Sequence, residues 1–248
     1  MKISIITAVF NRESTIERCV RSVLNQSYKN IEYIVVDGLS TDGTINVLSQ
    51  FDQQITKLVS ERDLGIYDAL NKGLTLATGD VIGFLHSDDF FANDDVIGWI
   101  VEKMERETCD LLYANLDFFH PNQPDKSTRY YSSSFFKPWM MRFALQPAHP
   151  TVYARKSVYD RIGNFNLDYQ ISADFDWLVR ALVLAQCKSS YLNHTLVKMQ
   201  MGGASTGGFK AVIRHNSEDL KILKSHHIYS NWIFVALKYC YKIFQLRF

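Results

Sequence analysis

Two runs, Ile3 to Val9 and Ile31 to Val36, apolar or β-branched except at Ser4 and Glu32, constrain the fold of this chain more than any other feature. A strand that alternates apolar and polar residues keeps one wet face. A continuous run keeps none, and belongs inside a parallel sheet covered by helices on both sides. Between the runs, Ile16, Cys19, Val20, Val23 and Leu24 recur three and four apart. That spacing predicts an amphipathic helix over Ser14 to Asn25, with Ser14 or Thr15 at its N-cap. Strand, helix and strand in succession form a right-handed βαβ unit. The pattern repeats: a helix over Thr44 to Phe51 precedes a strand at Thr56 to Ser60, and a helix over Gly65 to Thr75 precedes a strand at Val81 to Leu85. The first half is therefore expected to be an open, largely parallel sheet of nucleotide-binding type.

Such sheets bind ligands outside the carboxyl ends of their strands. Four predicted exits carry polar residues: Thr7-Ala8-Val9-Phe10-Asn11, Asp37-Gly38-Leu39-Ser40-Thr41-Asp42-Gly43, Glu61-Arg62-Asp63-Leu64-Gly65 and His86-Ser87-Asp88-Asp89. Adjacent carboxylates repel, so Asp88 and Asp89 are easiest to hold beside a cation. Mg²⁺ and Mn²⁺ prefer carboxylate oxygens and bring phosphates with them. Taken alone, the pair reads equally as a cap on the next helix, Asp94 to Arg106. Neither GxGxxG nor GxxxxGK[ST] follows the first strand. A bound nucleotide would then need carboxylates for its base and ribose, and a metal for its phosphates. Asp42-Gly43 doubles as a turn and a helix cap, Asp63 and Gly65 as loop formers, and Asp68 and Asn71 share one helix face.

The segments SIITAVFN, VVDGLSTDGT, SERDLGIYDALNKG and ATGDVIGFLHSDD, in that order over Lys2 to Phe91, resemble the inverting family 2 glycosyltransferases of GT-A fold. The resemblance implies an α/β domain that binds a nucleotide-sugar, usually a UDP-sugar, with Mn²⁺ or Mg²⁺. It places donor contacts on Thr7, Ala8, Asn11, Asp37, Asp63, Asn71, Lys72, Ser87 and Asp88, with Asp68 in support. Metal binding falls to Asp88 or Asp89, because His86 stands where the family motif carries its first Asp or Asn.

Downstream, a strand over Asp110 to Phe119, a loop at Pro121 to Lys126 and a returning strand at Thr128 to Tyr131 are expected. Phe135, Phe136 and Trp139 then read either as ordinary core or, for Trp139, as an acceptor contact. Asp174 opens a predicted helix, where backbone N–H groups favour an ionised carboxylate, and a carboxylate beside a transfer centre suits general base work. The segment resembles the family's Glu-Asp-x-Asp-Leu motif, whose central acid is the base. That implies Asp174 as base, Ala173 in place of the first acid, and Asp176 paired with Arg180 or orienting Asp174. His149 is similar to a histidine near the donor diphosphate in a related subgroup; a lone histidine also reads as structural. Gly202, Gly203 and Ser205 lie in a glycine-rich stretch that reads as a lid over the diphosphate or a plain connector. The tail from Asn231 carries Lys238, Lys242 and Gln245 at helical spacing beside a broad aromatic face. It suits an interfacial helix on anionic lipid, or packing onto the domain.

Over the whole chain of 248 residues, a net charge of +1 excludes a general nucleic-acid footprint. Four scattered cysteines without a CxxC pair, and no leader pattern after Met1-Lys2, predict a reducing, cytoplasmic setting. No run of 18 apolar residues occurs, so no span is expected. The predicted organisation is a donor-binding half at 1–91, an acceptor and catalytic half at 92–208, and C-terminal helices at 209–248. The resemblance implies metal-dependent transfer to a lipid-linked oligosaccharide in bacterial surface-polysaccharide assembly, at the inner face of the membrane. A phosphatase built on Asp-x-Asp-x-[ST] is excluded by Asp37-Gly38-Leu39 and Asp88-Asp89-Phe90. A degenerate transferase that binds nucleotide-sugar without turnover stays open, since His86 and Ala173 replace two acids.

Overall fold

The expected alternation builds a nine-stranded sheet in the computed structural model, which describes residues 1–202 and 209–243, excepting the side chains of 124, 125, 209, 210 and 240–243. Strands β1 (Ile3–Val9), β2 (Ile31–Asp37), β3 (Lys57–Ser60) and β4 (Val81–Phe84) lie parallel in the order β3-β2-β1-β4. Helices α1 (Ile16–Leu24), α2 (Thr44–Ser49) and α3 (Ile66–Leu76) connect them. Beyond β4 the sheet continues through antiparallel β8 (Tyr153–Arg155) into β6 (Leu111–His120), β9 (Ser189–Gln200) and β5 (Phe90–Phe91). Strand β7 (Gln123–Tyr131) pairs with β6 as a hairpin, so the loop expected at Pro121 to Lys126 shrinks to a tight turn. The remaining helices are α4 (Val96–Glu107), α5 (Lys156–Ile162), α6 (Ala173–Val179), α7 (Phe209–Ser225) and α8 (Trp232–Ile243).

Successive strand residues point to opposite faces, and β1 is apolar on both. Ile6 and Ala8 join one core with Leu70, Phe165 and Trp177, while Ile3, Ile5 and Val9 join the other with Val20, Ile100 and Leu112. The expected hydroxyl cap on α1 is not made: Thr15 is the N-cap residue, but its Oγ1 is buried without a partner. Close packing needs a glycine in β4. A Cβ at Gly83 would lie 2.2 Å from the ring of buried Tyr153.

At the amino edge of the sheet, Glu32 is buried and receives the Ser4 hydroxyl at 2.6 Å, the Thr78 N–H and hydroxyl at 2.7 Å each, and Lys2 Nζ at 3.0 Å. Burial pushes its carboxyl up, but these donors outweigh it and hold the group at about 2. A depressed carboxyl contributes stability above its unfolded value, lost as pH falls through the folded one. Glu32→Gln is expected to cost about 2 kcal/mol at neutral pH, with the gap to the unsubstituted protein closing between about pH 4 and pH 2 in urea titrations.

Helix α8 packs on the domain. Phe234 stacks on Phe143 at 4.9 Å, and Lys238, only 3% exposed, donates to Asp219 of α7 at 2.8 Å. This corrects the expected basic stripe: Lys238 belongs to the packed face, and Gln245 lies outside the described residues. Among the described residues, no helix is long and apolar enough to cross a membrane.

Candidate active site

The exits of β1, β2 and β3 are pressed together by their own side chains. Asp37 is fully buried and accepts hydrogen bonds from the Ser40 N–H and hydroxyl and, at 2.6 Å, from the Ser60 hydroxyl. These bonds tie its carboxylate to the loop after β2 and to the end of β3. Asn11, with φ of 51°, accepts the Thr41 N–H on its side-chain oxygen at 2.8 Å and donates its own backbone N–H to Ser40 Oγ at 2.8 Å. A Cβ at Gly38 would lie 2.3 Å from the Asp63 carboxylate and 3.4 Å from the ring of Phe10. Glycine is thus what lets the second and third exits meet. Phe10 (54% exposed) and Leu39 (49%) leave an apolar shelf open above them.

Several expected donor contacts are used elsewhere. Thr7 is fully buried under the Tyr33 hydroxyl at 3.2 Å, and Ala8 is buried too, so only their backbone is near the edge. Asn71 clamps the backbone of Phe165, donating to its carbonyl at 2.9 Å and accepting its N–H at 3.0 Å. Lys72 is held by Glu61 at 2.9 Å and Asp68 at 3.5 Å, and Asp68 accepts the Leu64 N–H at 3.0 Å. Asp42 accepts the Thr44 N–H at 3.0 Å as a cap on α2.

After β4 the chain turns sharply, with the Asp89 N–H donating to the His86 carbonyl at 3.0 Å. Ser87 is buried in this turn. Asp89 is 1% exposed; its Oδ1 accepts the Gln200 N–H at 3.1 Å and its Oδ2 has no partner. Burial and the neighbouring Asp88 push its carboxyl well above the usual range. Asp88 is half-buried, and its carbonyl takes Nη2 of Arg18 at 3.1 Å. The Arg18 guanidinium lies 4.5 Å from the ring of Phe90 and 4.8 Å from that of Phe119.

His86 sits in the fields of Asp88 and Asp174, both of which oppose the lowering of its pKa by burial. Its Nδ1 is buried without a partner. His149, in a tight turn before β8, stacks on Phe84 at 5.3 Å and lies 6.1 Å from the His86 ring. Burial drives it down to about 4 against the Asp174 charge, so the imidazole is neutral at pH 7.

Asp174 occupies the first turn of α6, half-buried. Its Oδ1 accepts the Tyr67 hydroxyl at 2.9 Å and its Oδ2 receives Gln146 Nε2 at 3.4 Å. Burial and the Asp174 charge raise the Tyr67 phenol well above its ordinary value, so it stays a donor. Asp176 is buried between Arg180 Nε at 2.8 Å and His226 Nε2 at 2.7 Å. Trp139, 64% exposed, makes a T-shaped contact with Phe143 at 6.0 Å. Gly202 has φ of 101°; Gly203 and Ser205 lie outside the described residues.

Arg18, Tyr67 and Gln146 were not predicted. Tyr67 lies in the SERDLGIYDALNKG segment, but a tyrosine near the start of a helix carries no pattern that separates a site hydroxyl from a core ring. Arg18 had no signal, because the period of α1 marks only its apolar positions.

The sequence model of glycosyl transferase family 2 matches residues 4–163. The chain belongs to that family. Among its relatives is an uncharacterized glycosyltransferase of Mycobacterium tuberculosis, Rv1514c, 31% identical over 74% of this chain and 70% of that protein. The Escherichia coli UDP-Glc:alpha-D-GlcNAc-diphosphoundecaprenol beta-1,3-glucosyltransferase WfaP is 26% identical over 91% of this chain and 88% of its own. Solved structures show the fold. Staphylococcus aureus TarS 1-349 in complex with UDP-GlcNAc superposes with a TM-score of 0.66 at 17% identity, over 90% of this chain and 67% of that one. The present transferase spans 44% of the longer TarS chain. The Pyrobaculum calidifontis mannosyltransferase PcManGT, in complex with GDP-Man and Mn²⁺, gives 0.65 at 16% identity, over 91% of this chain and 64% of that one. This glycosyltransferase therefore has the expected GT-A architecture, a mostly parallel curled sheet flanked by helices.

Proposed function

We propose that this glycosyltransferase moves a sugar from a UDP-sugar to a hydroxyl of a lipid-linked glycan, with inversion to a β-linkage, in bacterial polysaccharide assembly. One observation carries the reading: Asp174, held by Tyr67 and Gln146, shares His86 as a neighbour with Asp88 at the carboxyl edge of the sheet. The nucleoside lies on the shelf of Phe10, Leu39, Gly38 and Asp63, and the diphosphate lies toward Ser87, Asp88 and neutral His149. The acceptor oxygen attacks the anomeric carbon from the face opposite the diphosphate. Its proton passes to Asp174 as the bond to the leaving nucleoside diphosphate breaks. The activity of WfaP, with a UDP-sugar and a diphosphate-linked lipid, supports both substrate classes.

Among the described residues, no group of three His, Cys, Asp or Glu side chains is arranged to hold a metal. The donor set fits a hard cation that takes most of its ligands from the donor diphosphate and water. Asp88 is the half-buried carboxylate open to it; Asp89 spends Oδ1 on the β9 backbone and keeps Oδ2 buried, and His86, two residues before Asp88, has an unpartnered Nδ1. When bound, Mn²⁺ or Mg²⁺ would offset charge on the departing diphosphate. The decisive assay offers a panel of nucleotide-sugars with Mn²⁺ and a polyprenyl-diphosphate-linked acceptor. One UDP-sugar is expected to be turned over, and EDTA to stop the reaction. Nucleotide binding without transfer or hydrolysis would instead indicate the binding subunit that His86 and Ala173 leave open.

The lipid-linked acceptor requires the protein to work at a membrane surface. Tyr229, Trp232, Ile233 and Leu237 are exposed on and before α8, and no Asp or Glu follows Asp219. Aromatic and aliphatic side chains in an acid-free segment suit anionic lipid headgroups. Trp232→Glu/Ile233→Glu is expected to weaken sedimentation with phosphatidylglycerol vesicles about tenfold, leaving transfer to a soluble acceptor unchanged.

A further inference from the structure

We infer that helix α7 belongs to the transfer apparatus and that Glu218 is a positioning residue for Asp174, an inference that rests on Asp174 being the base. The first amides of a helix have no partner within it and are usually satisfied by a nearby cap. Ser172, the N-cap residue of α6, makes no such bond, and its Oγ is buried without a partner. Phe175 occupies the position where a capping-box Glu or Gln would reach back to the N-cap amide. Glu218 supplies that carboxylate from a distant part of the chain. Its oxygens accept the N–H groups of Gln170 at 3.2 Å, Ile171 at 2.8 Å and Ser172 at 3.0 Å.

The grip extends to the reacting carboxylate. The Tyr67 hydroxyl lies 2.6 Å from the Ile171 carbonyl and 2.9 Å from Asp174 Oδ1, and its single proton is shared between the two oxygens. Ile171 is therefore held on its N–H by Glu218 and on its carbonyl by the side chain that steadies Asp174. Just past the C-terminal end of α7, His226 bonds Asp176 at 2.7 Å, so α7 and the residue that follows it secure both sides of Asp174. Asp219, next to Glu218, is locked to buried Lys238 of α8 at 2.8 Å, which keeps α7 in place. Glu218 makes no bond to Asp174 itself. Its influence is on where that carboxylate stands, and misplacement of a reacting group by about 1 Å costs on the order of a hundredfold in rate.

The test compares Glu218→Gln with Asp174→Asn and with the double variant, using the full chain. The glutamine keeps the shape but turns one acceptor into an N–H donor facing N–H groups. Expected for Glu218→Gln is a fall in kcat of about tenfold to a hundredfold with the donor KM within about twofold. Amide exchange at Ile171 and Ser172 is expected to accelerate while Tm holds. In the Asp174→Asn background the same substitution should change the residual rate by less than about twofold, since no base is left to position. A wild-type kcat in Glu218→Gln overturns the inference, and so does a full additional loss in the double variant or a rise in donor KM matching the loss in kcat. These outcomes are distinguishable from failure of the underlying reading: full activity in Asp174→Asn removes the base and with it the inference, whereas an inactive Asp174→Asn beside a fully active Glu218→Gln overturns only the role of Glu218.

Discussion

Replacing Asp174 by Asn is expected to lower kcat by about 10²- to 10⁴-fold, the range that a positioned general base contributes, while donor affinity stays within about twofold. Asparagine keeps the size and can still meet Tyr67 and Gln146, so the carboxylate's ability to take a proton is what the substitution removes. Tyr67→Phe gives a second view of the same group. It deletes the hydroxyl that steadies the carboxylate at 2.9 Å, and kcat is expected to fall about tenfold with the donor KM within about twofold. Steady-state transfer assays measure both. A normal kcat in Asp174→Asn would remove the residue from the chemistry.

Asp88→Asn carries the other large effect. The two aspartates differ in setting: Asp89 is 1% exposed and accepts from Gln200, while Asp88 is half-buried beside His86. A metal contributes several kcal/mol to stabilising a leaving diphosphate, so Asp88→Asn is expected to lower kcat/KM at least about 10²-fold and to flatten its dependence on Mn²⁺. Calorimetry with UDP should show Mn²⁺-dependent binding lost in Asp88→Asn. In Asp89→Asn that binding should hold, because asparagine still accepts the Gln200 amide. Equal losses of Mn²⁺-dependent binding in the two variants would contradict the division of labour between them.

Much of the first half of the sheet was legible because its signals are local. The runs at β1 and β2 report burial on both faces, and the helix of period 3.6 between them reports one buried side. Residues at strand exits necessarily gather at one edge once the strands are parallel. The second half was less legible. β7 starts at Gln123, inside a segment with two prolines at 121 and 124 that reads as a turn, because pairing with β6 outweighs local preference.

Side-chain surroundings were not legible where tertiary partners decide them. The sequence placed Asn71 and Lys72 on the right helix, but only packing shows Asn71 spent on Phe165 and Lys72 on Glu61 and Asp68. Asp37 looked like an open carboxylate, and the hydroxyls of Ser40 and Ser60 close it. Lys238 looked solvent-facing until Asp219, on another helix, gave it a buried partner.

The sequence by itself determined the parallel sheet, its loaded edge and the positions of Asp88, Asp89 and Asp174. Each of these follows from spacing along a single strand or helix, which is fixed by backbone geometry. Only the tertiary structure decided which of those groups stay open. It also revealed Tyr67, Gln146 and Glu218 around Asp174, from elements far apart in the chain. Hydrogen bonds depend on distances of a few tenths of an ångström between separate elements, and no periodicity in one segment encodes where another will lie.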